Sequence, residues 1–125
     1  MKAAIGGMAA AMTLWLVMAS AADWRGDAER GRVVFERRCT GCHSLDGMKS
    51  APPLRHVFGG PAARDAQYPY SAALKDARIA WDEKTLDRWL TDPEALVPGN
   101  DMAFRLAGAE ERADIIAYLK QLESK

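Results

Sequence analysis

The chain has 125 residues, the size of one small domain, and its 17 Lys and Arg balance 17 Asp and Glu. Zero formal charge argues against a nucleic-acid binder, and two cysteines are too few for a disulfide framework or a four-cysteine zinc site. An apolar fraction of 49% with four Trp argues against disorder, yet so short a chain buries proportionally little surface and calls for a staple or a cofactor.

Lys2 is the only charge before Asp23, and the 20 residues from Ala3 to Ala22 are rich in Ala, Met, Leu and Val. The stretch ends in Ala19-Ser20-Ala21, a small-x-small pattern of the kind signal peptidase accepts. Residues 1–21 therefore read as a cleaved signal peptide and 22–125 as the mature domain, exported to the periplasm. The alternative is a retained membrane anchor, since that many uncharged residues just span a bilayer. Dilution by Gly6, Gly7, Thr13 and Ser20 favours cleavage, as does a helix expected to begin near Asp27 with almost no linker before it.

The first helix is expected from Asp27, as N-cap, to Arg38, with Val34 and Phe35 as its apolar contacts. A short helix is expected near Tyr70–Lys75. The next follows Trp81: Asp82 caps it, Leu86, Trp89 and Leu90 fall at i, i+3 and i+4, and Pro93 stops it. The last starts after Gly108, with Glu110 and Glu111 in its first turn and Ile115, Tyr118, Leu119 and Leu122 as its buried stripe. No strand pattern, internal repeat or low-complexity run interrupts this series.

Two long loops remain, about Ser44–Ala80 and Glu94–Ala107. Loops of that length in so small a domain are uncommon unless they are functional or wrapped around something. Three short helices cannot cover their own apolar stripes and also order both loops, so a large apolar cofactor is implied.

The chemical anchor is Cys39-Thr40-Gly41-Cys42-His43, the C-x-x-C-H pattern of c-type haem attachment. Two thiols at this spacing reach the two haem vinyl groups, and the following histidine turns to the iron as proximal ligand. A redox disulfide would belong at a helix start within a β-α-β pattern, which is absent. A zinc site would have to strain both cysteines, His43 and His56 around one ion.

For the sixth ligand, signal removal leaves Met48 and Met102 as thioethers and His56 as a second imidazole. Met48 follows His43 too closely to cross to the other haem face. Met102 stands in Val97-Pro98-Gly99-Asn100-Asp101-Met102, which has both the reach and a Pro-Gly turn. Met102 is therefore the expected distal ligand, and His56 an ordinary surface histidine.

Together these residues resemble the class I c-type cytochromes of mitochondria and bacteria, over nearly everything from Gly26 to Leu122. GDAERGRVVFERR is similar to the family's first helix, with Gly31 and Phe35 placed to pack on Ile115 and Tyr118. IAWDEKTLDRWLTDPEALVPGNDMAF parallels its middle helix and methionine loop, and AEERADIIAYLKQL its last helix. The resemblance implies an all-α fold of about three main helices with long loops wrapped around one covalent haem c and its iron. It also implies that the Pro52 carbonyl orients the proximal histidine, and that Tyr70, Trp81 and Asn100 approach a buried haem propionate.

There are departures. Gly60 stands where the family commonly carries a propionate-binding arginine, for which Arg64 is the local substitute. Leu74 replaces a common Asn and Trp89 a usual Tyr.

With both axial positions filled, the expected function is one-electron transfer between redox protein partners, by a monomer that is not an enzyme and touches a membrane only if its leader is retained. The alternatives are a haem subunit dedicated to one dehydrogenase or oxidase, or a gas-binding or catalytic haem protein with an open distal site. Residues 22–81 hold 10 basic and 7 acidic side chains, against 6 and 10 over 82–125. Glu94 and Asp101 occupy positions where mitochondrial relatives carry docking lysines, and Arg38 keeps one positive position. Weak steering towards acidic partners is expected.

Overall fold

The computed structural model describes residues 25–125. The expected signal peptide over 1–21 and its cleavage after Ala21 lie outside the described residues. The architecture is α-helical, in the order α1 (Ala28–Arg38), α2 (Ala72–Asp76), α3 (Glu83–Thr91), α4 (Pro93–Leu96) and α5 (Ala109–Glu123). Among the described residues the only strand-like pairing is an isolated antiparallel bridge between Pro61 and Ala80.

Local chemistry explains the helix ends. The Asp27 carboxylate accepts the Arg30 amide at 2.8 Å and starts α1. Asp82 and Thr85 form a reciprocal capping box at the start of α3. Pro93 does not simply stop α3, as the sequence suggested. Asp92 closes α3 and at once caps α4, in which Pro93 takes the first helical position. A proline costs nothing there, because that amide has no partner to lose. The short helix expected near Tyr70–Lys75 forms slightly later, capped by Ser71.

Helices α1 and α5 cross in close contact. A Cβ at Gly31 would lie 1.9 Å from the Asp114 carbonyl oxygen and 2.8 Å from the Tyr118 Cβ, so only glycine permits this approach. Phe35 packs on Tyr118 with ring centroids 5.6 Å apart. Next to it Asp114, 4% exposed, accepts the Asp27 amide at 2.7 Å and two guanidinium N–H groups of Arg30 at 2.9 and 3.0 Å. The long loop after Ser44 is ordered by main-chain bonds, notably Gly59 to Trp81, Trp81 to Gly60 and Ala62 to Ile79. These pin the buried Trp81 against α3. Leu86, Trp89 and Leu90 of α3 face Ile115 and Leu119 of α5 as expected, but the helices do not close on one another. They leave a cavity.

Candidate metal centre

That cavity has a volume of about 790 Å³, and its lining is mostly apolar. Its size falls within the range of small-molecule and cofactor sites. Cys39 and Cys42 line it from the turn that ends α1, and His43 lines it beside them. The turn is fixed by the Cys39 carbonyl, which accepts the amides of Cys42 and His43 at 3.2 and 2.9 Å.

The His43 Nδ1–H donates to the Pro52 carbonyl at 2.7 Å. Since that nitrogen holds the proton, Nε2 carries the lone pair that a metal needs. Burial pushes the imidazole's pKa below its usual value, against the opposing effect of the Pro52 carbonyl, and this favours the neutral, ligating form. Burial also pushes the Cys39 thiol up to about 11. A redox dithiol needs a stabilised thiolate, so this pair is unsuited to disulfide exchange.

Met102 lines the same cavity from the segment after α4. The Asn100 side chain shapes that segment, donating to the Val97 carbonyl and accepting the Met102 amide, both at 2.8 Å. Asn100 does not itself line the cavity. The Glu94 carboxylate accepts the Gly99 amide at 3.1 Å, and farther on Leu106 bonds to the Leu90 carbonyl at 2.7 Å. Methionine is thus carried on a short span tied down at both ends.

Tyr70 and Trp81 also line the cavity. The Tyr70 hydroxyl accepts the Asp65 amide at 3.2 Å, which leaves its own proton free to be donated. Arg64 lines the cavity nearby, its Nη1 donating to the His56 carbonyl at 2.9 Å and lying 3.2 Å from where a Cβ on Gly60 would stand. His56 is exposed, with its ring 3.2 Å from Glu123.

One relationship escaped the sequence reading. The Trp89 indole Nε1–H donates to the Met102 sulfur at 3.2 Å. The available signal was a tryptophan on the buried stripe of α3, whose N–H must find an acceptor.

A sequence model of the family described as "Cytochrome c" matches residues 28–123, nearly all of the described chain. The chain belongs to the cytochrome c family. It is similar to cytochrome c of Chlamydomonas reinhardtii, 43% identical over 100 residues that cover 77% of this chain and 89% of the relative. Cytochrome c of Gossypium barbadense is 40% identical, with 77% and 90% covered. Among solved structures, cytochrome cH from Methylobacterium extorquens superposes with a TM-score of 0.73 at 38% identity, covering 77% of this chain and 99% of that one.

As a cytochrome c the chain binds one covalently attached haem c with its iron, and the residues present fit that group. Cys39 and Cys42 enter the cavity side by side in the attachment pattern, and His43 keeps a lone pair free beside them. The walls that the helices fail to close with one another, among them Leu86, Leu90, Ile115 and Leu119, supply the apolar contact a porphyrin requires. The protein is an electron carrier, and its partners are redox proteins.

Proposed function

We propose that this cytochrome c is a diffusible periplasmic one-electron carrier whose haem iron is held by His43 and Met102. The observation that carries the reading is the convergence of Cys39, Cys42, His43 and Met102 on one cavity. Haem c, when bound, supplies the one-electron couple of its iron. The chain's residues do the rest. Cys39 and Cys42 anchor the cofactor, the Pro52 carbonyl fixes the His43 ring, and Asn100 sets the loop that presents Met102. Tyr70 and Trp81 face the propionate end with N–H and O–H donors, and Arg64 supplies the positive charge that Gly60 cannot.

A filled distal position leaves no site for a substrate, which supports a carrier rather than an enzyme or a gas sensor. The exposed large apolar side chains among the described residues are Val33 and Met48, too little surface to seal a permanent subunit interface. That supports a monomer visiting its partners in turn over a haem subunit dedicated to one enzyme. Among the described residues no helix is long and apolar enough to cross a membrane. Export rests on the leader pattern over 1–21, and the amino-terminal sequence of the protein recovered from the periplasm tests its removal after Ala21.

Ligation is tested by visible spectra of the oxidised and reduced protein, with and without carbon monoxide, beside Met102→Ala. A low-spin spectrum with a sulfur-to-iron band near the red edge, lost in the variant and indifferent to carbon monoxide in the parent, is the expected result. Ready binding of carbon monoxide by the reduced parent would overturn the carrier reading in favour of catalysis or sensing.

A further inference from the structure

Helix α1 ends beside the cavity mouth with Arg38, directly before the attachment cysteine. Its guanidinium lies 5.7 Å from the ring centroid of Phe104, within the range of a cation–π contact. Phe104 follows Met102 by two residues, and both Arg38 and Phe104 line the cavity. The contact therefore bridges two segments that are far apart in sequence. One carries Cys39, Cys42 and His43, and the other carries Met102.

The other ties on the methionine segment run elsewhere. Asn100 bonds within the loop, Leu106 bonds to α3, and Arg105 pairs with Asp92 at 3.0 Å. Between those anchors, Ala103 and Arg105 are exposed and Phe104 is half-buried. Arg38 has no carboxylate partner in the structure, while its neighbour Arg32 is held by Glu29 and Glu36. An aromatic face is thus the partner the fold gives Arg38.

We propose that Arg38 and Phe104 form a clasp across the cavity mouth that holds the Met102 segment against the haem-attachment segment, so that opening it exposes the distal position to competing ligands. Both are positioning residues acting through Met102, and the inference rests on the reading of Met102 as an iron ligand. Because the clasp uses a ring rather than a carboxylate, it keeps Arg38 positive and outward at the edge where partners approach. An acidic partner that captured the guanidinium would loosen the methionine segment as it docked.

The test is titration of the oxidised holoprotein with imidazole, followed by loss of the sulfur-to-iron band. Arg38→Gln and Phe104→Leu are each expected to raise the apparent imidazole affinity about threefold to fivefold, the size of a solvent-accessible cation–π contact. Arg38→Lys retains most of the parent behaviour. The double variant is expected to gain no more than either single one, since both remove the same contact. Arg37→Gln, one residue away, serves as the control and leaves the titration unchanged. The denaturant midpoint of each variant separates the clasp from general loosening, because a clasp changes imidazole affinity by more than global stability changes. An unchanged titration in Arg38→Gln, additive effects in the double variant, or gains matched by lost global stability would overturn the clasp alone. Absence of the sulfur-to-iron band from the parent would overturn methionine ligation and the clasp with it.

Discussion

The Trp89 indole N–H donates to the Met102 sulfur across 3.2 Å, from the buried face of α3 to the loop beyond α4. The ring is held by its neighbour Trp81, with centroids 5.2 Å apart at 59°. A thioether sulfur has two lone pairs, so one meets Trp89 and one is left for a metal. A donor on the sulfur draws electron density away from it and makes it a poorer partner for the more oxidised iron. Trp89→Phe removes the donor while keeping an aromatic wall. Its midpoint potential is expected to fall by about 40 mV, the one-electron equivalent of a hydrogen bond worth about 1 kcal/mol. Spectroelectrochemical titration checks this, and a potential equal to the parent's would show that the contact does not tune the iron.

The crossing of α1 and α5 makes a sharper prediction for stability. A Cβ on Gly31 meets a main-chain carbonyl at 1.9 Å, and no rotamer can relieve that clash. Gly31→Ala must push the helices apart, separating Phe35 from Tyr118 and exposing Asp114. A loss of about 3 kcal/mol is expected, at the upper end for overpacking. Guanidinium unfolding of the holoprotein measures it, and a loss under 1 kcal/mol would mean that the crossing adapts.

Much of this was readable before any coordinates. The haem-attachment run is contiguous, so Cys39, Cys42 and His43 needed no fold to be recognised. The stripe Leu86, Trp89 and Leu90 and its Asp82 cap are local periodicity and local capping, which sequence reports well. Relationships set by tertiary approach were harder to see. The tryptophan-to-sulfur bond joins two elements at a distance and angle that no spacing encodes, and so does the contact between Arg38 and Phe104. Pro93 was ambiguous because proline both ends one helix and begins another. Asn100, expected from resemblance to approach a propionate, instead uses its amide to fold the loop beneath Met102.

Asp114 ties stability to pH. Its carboxyl pKa is held below the usual range, chiefly by the hydrogen bonds from Arg30 and against the opposing effect of burial. A carboxyl group with a lowered folded pKa contributes stability that is fully present above its unfolded value of about 3.9 and lost as pH falls through the folded one. The parent is therefore expected to lose stability steeply below about pH 4. Asp114→Asn is expected to be about 2 kcal/mol less stable at pH 7 and to show a flatter acid limb. Parallel acid slopes in thermal melts of the two proteins would assign the acid sensitivity to other carboxylates.

Docking electrostatics depend on which charges are already engaged. Glu94 is turned inward on the Gly99 amide, and Asp92 is paired with Arg105, whereas Asp101 is exposed next to Met102. Positive charge on this edge is thus diluted, and long-range attraction to an acidic partner is weak. The rate of electron transfer to an acidic partner is expected to fall with ionic strength less steeply than that of a lysine-rimmed cytochrome c. A stopped-flow salt series with both proteins measures the two slopes, and an equal or steeper slope here would refute it.

Arg64 offers the last test, at the opposite side of the cofactor's chemistry. Gly60 is buried and has no side chain, and the Arg64 guanidinium occupies the space next to it while keeping donors beyond the one given to His56. A cation there stabilises an ionised propionate and also opposes the extra positive charge of oxidised iron. Arg64→Gln removes both effects, so the midpoint potential is expected to fall. With its counter-charge gone, the propionate should titrate nearer neutrality, and the potential should decline as pH rises through that range. Arg64→Lys keeps the charge but loses the planar fork, and should recover most of the potential with part of the pH dependence remaining. A potential in Arg64→Gln that matches the parent at every pH would place the propionate's counter-charge on another residue, with Arg55, which also lines the cavity, as the next cation to replace.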